Sequence, residues 1–66
     1  MGDLDALRCA KLLLDRHGRD AELHAALRID ELGTAGDEAG RRAWARILAA
    51  VDELARTERR PNETLQ

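Results

Sequence analysis

The chain has 66 residues, with 13 acidic and 11 basic side chains, a formal net charge of −2 and one cysteine, Cys9. This length supports a single domain, and a chain this short hides only about 60% of the surface its unfolded form exposes. Near-balanced charge argues against a binder of nucleic acid or of a membrane surface. A lone cysteine excludes an internal disulfide, which leaves helix packing or oligomerisation to stabilise the fold.

The first predicted element is a helix over about residues 3–17. Asp3 or Asp5 suits its N-terminus, where negative charge meets the helix dipole favourably. Ala6, Leu7, Ala10, Leu13, Leu14 and His17 share one face, and Leu4 and Leu12 fall off it. Gly18 follows where a helix commonly ends in a left-handed residue.

A second helix is predicted over about 20–32, with Asp20 as N-cap and Gly33 as the stop. It is apolar on two sides. Ala21, Ala25, Ile29 and Leu32 form one stripe, and Leu23, Ala26 and Leu27 form another nearly opposite. A helix of this kind usually contacts two things.

The third helix is predicted over about 37–57. Asp37 is a good N-cap, and Thr34 with Asp37 resembles a capping box. Ala43, Trp44, Ile47, Leu48, Ala50, Val51, Leu54 and Ala55 lie on one broad face. At about 1.5 Å per residue this helix outreaches its shorter neighbours, so an overhang at Val51, Leu54 and Ala55 is expected. Residues 59–66 are polar, contain the only proline and read as a flexible tail after a single domain over 1–58.

The expected fold is therefore all-α, a small three-helix bundle that a second copy can complete. Leu7, Leu14, Ile29, Leu32, Trp44, Ile47, Leu48, Val51 and Leu54 are the expected core. Leu4, Leu12, Leu23 and Leu27 are the candidate interface. No apolar run approaches the ~20 residues of a membrane span. The start Met1-Gly2-Asp3 does not read as a signal peptide, and a lone thiol suits a reducing cytoplasm.

The chemistry-bearing residues are few. Cys9, His17 and His24 are the only soft metal ligands, and no Cys-x-x-Cys or His-x-x-x-His pair exists, so no metal or other cofactor is expected. The chain has no serine, and no oxyanion-type glycine loop accompanies Cys9. Asp30-Glu31 and Asp52-Glu53 are adjacent and point apart on a helix. These features argue against an enzyme. Gly33, Gly36 and Gly40 lack the Lys-Ser/Thr of a phosphate loop and read as turn and packing residues. A helix-turn-helix over the second and third helices is the alternative, with Arg41, Arg42 and Arg46 as the basic strip. Asp37 and Glu38 at the start of its recognition helix weigh against that reading, because phosphates line the groove.

Several segments carry a resemblance: Cys9-Ala10-Lys11-Leu12-Leu13-Leu14, His17-Gly18, Arg28-Ile29-Asp30-Glu31-Leu32, and Ala35-Gly36-Asp37-Glu38-Ala39-Gly40 followed by Trp44. In this order they are similar to a group of short alphaproteobacterial proteins defined only as a domain of unknown function. The resemblance covers roughly residues 6 to 55 and rests most on the Ala-Gly-Asp-x-x-Gly-x-x-x-Trp spacing. It implies a compact helical protein and no catalytic residue. The resulting expectation is a small cytoplasmic, bacterial protein of adaptor-like or regulatory type. It would act by protein–protein contact, as a homodimer.

Overall fold

Two glycines with positive φ and one aspartate cap set the boundaries of the chain's elements. The computed structural model describes residues 2–58. They form α1 (Asp3–His17), one 3-10 turn (Gly18–Asp20), α2 (Ala21–Ala35) and α3 (Glu38–Glu58), with no strand among the described residues. The protein is all-α. The expected tail at 59–66 lies outside the described residues.

Gly2 is the N-cap of α1 and makes no side-chain cap bond, and its carbonyl accepts from the Ala6 amide at 3.1 Å. Gly18 ends α1 at φ 57°, ψ −122°, and its amide donates to the Leu14 carbonyl. That region of backbone space is open essentially to glycine alone. Asp20 lies in the 3-10 turn in helical conformation, with no side-chain cap bond. The expected Asp20 cap is thus replaced by a turn that runs directly into α2.

Gly33 does not stop α2, which continues through Gly33, Thr34 and Ala35. The stop is Gly36, at φ 81°. Its amide donates to the Gly33 carbonyl at 3.1 Å, and the Asp37 amide donates to the Leu32 carbonyl at 2.9 Å. This pair of bonds is a Schellman motif, which satisfies carbonyls that the helix end leaves open. Thr34 is therefore helical and forms no capping box with Asp37. Gly33 has a packing role instead, since a Cβ there would lie 3.3 Å from Arg41 Cδ on α3.

α3 packs against both other helices, while α1 and α2 touch one another little. The fully buried residues are Ala6, Ala10, Ala21, Ala25, Ile47 and Val51. Alanine has a small side chain, so α1 and α2 approach α3 closely at these positions. Cys9, Leu13, Leu14, Trp44, Ala50 and Leu54 pack half-buried around the cluster. Ile29, Leu32 and Leu48 are also half-buried. Leu7, expected in the core, is 40% exposed, because Ala6 and Ala10 make the contact and Leu7 falls to its rim. The expected overhang is corrected too. Val51 is fully buried, Leu54 and Ala55 are half-buried, and a depression beside Val51 and Ala55 is walled by Leu14 and Gly18 at the end of α1. The bend after α1 covers this part of α3 from within the same chain.

Candidate interaction surface

The side chains that packing leaves over are leucines. Leu4, Leu12, Leu23 and Leu27 are between 50 and 61% exposed. Burying a leucine is worth about 1.5–3 kcal/mol, so leaving four in water forgoes a large share of what a small domain can gain. On α2 the separation is sharp. Ala21 and Ala25 are fully buried, whereas Leu23 and Leu27 stand on the other side with Ala26 and Asp30, all exposed. The two-sided pattern in the sequence thus corresponds to one face on α3 and one face toward solvent.

Beside Leu27 the divergence of α1 and α2 leaves a cleft of about 310 Å³, lined by Leu13, His24, Leu27, Arg28, Glu31 and Trp44. Trp44 contributes one wall while packing half-buried against the core. Arg28 donates to Glu31 across the rim at 3.1 Å, an i, i+3 pair on α2.

The two histidines meet at the edge of this cleft. The rings of His17, the last residue of α1, and His24 on α2 stack with centroids 3.7 Å apart and planes 22° from parallel. The sequence shows them seven apart across a glycine break, and only the fold brings them face to face. Stacked imidazoles direct their in-plane lone pairs side by side, so the two cannot converge on one metal ion at a bond length near 2.0 Å. Among the described residues no group of three or more His, Cys, Asp or Glu side chains could hold a metal. Cys9 is a free, half-buried thiol packed against the core.

The start of α3 is occupied by its own side chains. Asp37 Oδ1 accepts from the Gly40 amide at 2.9 Å. Arg41 reaches back to Glu38 with Nε and Nη2, at 3.3 and 3.0 Å. The hydrogen bond from Arg41, and then its charge, hold the Glu38 carboxyl below the ordinary glutamate value. The Arg41 guanidinium is raised in turn by the same bond. Of the basic strip, Arg41 is therefore engaged with Glu38, and Arg42 and Arg46 flank Ala39 and Ala43 on the same helix. Other exposed ion pairs within helices join Lys11 to Asp15, and Arg56 to both Asp52 and Glu53. Among the described residues no helix is long and apolar enough to cross a membrane.

Ala6, Ala10, Ala21 and Ala25 lie on the apolar faces that the sequence predicts but were left out of its expected core, and the histidine stack was not foreseen. The i, i+4 pairs Ala6/Ala10 and Ala21/Ala25 were the available signal for the first. No family model, curated protein or solved structure matches this chain.

Proposed function

We propose that the chain acts by protein–protein contact and associates with itself, as an adaptor-like or regulatory module of a bacterial cytoplasm. One observation carries the reading. Leu23 and Leu27 remain 56 and 50% exposed on the side of α2 turned away from its buried alanines, while Ile47 and Val51 are the largest fully buried side chains among the described residues. Adjacent exposed apolar residues mark contact surfaces in soluble proteins. A core this small also favours a partner that covers more of the chain.

Analytical ultracentrifugation of the wild type and of Leu23→Glu/Leu27→Glu tests it. A dimeric wild type and a monomeric, equally helical variant support the proposal. A wild type that stays monomeric across the concentration range removes self-association. Loss of helicity in the variant would place these leucines in the monomer's own core. The alternative of DNA binding predicts a salt-dependent mobility shift that charge reversal at Arg41, Arg42 and Arg46 abolishes.

A further inference from the structure

We propose that α1 and α2 are two halves of one helix, joined by a hinge at Gly18 through which two copies of the chain exchange α1. This goes beyond the association proposed above, because it does not use the leucine face as its interface. Between Asp3 and Ala35 the only residue with positive φ is Gly18, at φ 57°, ψ −122°. His17 before it and Asp20 after it already lie in the right-handed helical region. The Gly18 amide already donates to the Leu14 carbonyl, as it would inside a helix. Rotation about Gly18, with the 3-10 turn relaxing to α-helical spacing, makes one helix from Asp3 to Ala35, about 50 Å long. Gly18, Arg19 and Asp20 are exposed, so nothing buried obstructs the change at the turn itself.

A straightened chain lifts α1 off its own α3, and α1 has little contact with α2 to hold it back. Its docking face is then open to the same surface on a second copy. Ala6 and Ala10, which cluster with Ile47 and Val51 in the bent chain, meet the partner's Ile47 and Val51 instead. The two copies do this reciprocally, which is why exchange of an identical element is a low-cost route to a dimer. Each copy keeps its α2–α3 hairpin. What differs is confined to the turn and to the stack of His17 on His24. Those rings lie 3.7 Å apart in the bent chain, whereas seven residues of continuous helix separate them by about 10 Å. The glycine bend and the histidine stack therefore belong to the closed monomer, and the exchanged form replaces both with helix.

The test is Gly18→Ala. Alanine is excluded from the backbone angles of the bend but favoured inside a helix, so the change closes the bent form and leaves the straight one open. Sedimentation should show a dimer with its helicity retained and a dissociation constant at least about tenfold below that of the wild type. Spin labels on Arg8→Cys and Asp30→Cys, in a Cys9→Ala background diluted with unlabelled chain, read the shape of one copy. The two sites are exposed. They lie about 33 Å apart along a straight helix, and any bend at Gly18 shortens that distance. A Gly18→Ala dimer with the long distance supports exchange. A dimer that keeps the short distance overturns exchange and leaves association through the leucine face standing. A variant that stays monomeric or loses its helicity at every concentration also overturns exchange, and the leucine face is then judged by the wild type and its Leu23→Glu/Leu27→Glu variant.

Discussion

Gly40 is glycine because of Asp37. The Asp37 carboxylate folds over the first turn of α3 to accept from the Gly40 amide, and a Cβ on residue 40 would lie 2.5 Å from Asp37 Oδ2 and 2.9 Å from its Cγ. Gly→Ala inside a helix ordinarily stabilises by about 0.5–1 kcal/mol. Here the added methyl displaces the cap, which is worth about 1 kcal/mol. Gly40→Ala should therefore leave stability flat or lowered. In an Asp37→Ala background the same change should stabilise by about 0.5–1 kcal/mol. Urea denaturation of the four proteins checks this, and additivity across the cycle would count against the steric account.

The alanine contacts make a second prediction, in which enlarging a buried alanine costs more than truncating an exposed leucine. Ala10→Leu and Ala25→Leu add volume at positions with no exposed surface, and each should cost about 1–3 kcal/mol as α3 is pushed away. Leu7→Ala removes a larger side chain from the same helix yet should cost under about 1 kcal/mol, because Leu7 is already partly in water. Thermal melts in one buffer compare the three.

Trp44→Ala should be destabilising by about 2 kcal/mol, below the ~3–5 kcal/mol of a fully buried aromatic, because the ring is half-exposed in its cleft. Trp44 is the chain's only tryptophan, so its fluorescence reports on that cleft directly. Leu27→Lys should shift the emission to the red with little change in helicity, through a charge brought to the opposite wall.

Carboxyl titration by NMR should find Glu38 below the ordinary glutamate value, and Arg41→Gln should return it toward that value. The sign for stability follows. A carboxyl depressed in the folded state stabilises fully above its unfolded value, and the contribution is lost as pH falls through the folded one. Glu38 is fully exposed, so the site should be read by chemical shift, with salt weakening the effect.

Much of the helical layout was legible because its punctuation is chemical. Gly18 and Asp37 act where composition places them, and α1 occupies its expected span. Gly33 and Gly36 could not be ranked from sequence, since both suit a helix end. Tertiary packing decided it: Gly33 lets Arg41 lie close, and Gly36 takes the left-handed turn. The core was misjudged at Leu7 because a helical stripe weighs side chains by size, whereas close helix approach selects small ones. The overhang at Val51 failed because helix length was compared with no knowledge of the bend at Gly18. Leu23 and Leu27 were visible as a second stripe, but whether α1 would cover them depended on that same bend.

The divergence of α1 from α2 also has a consequence for the order of folding. α2 and α3 are joined through Gly36 and Asp37 alone, so their contacts close a short loop. Ala6 and Ala10 join Ile47 and Val51 across about 40 intervening residues, and such distant contacts form slowly. This topology predicts that the hairpin of α2 and α3 forms early and that α1 docks late. In a chain emerging residue by residue, the first helix would then find its packing surface only once the last one exists.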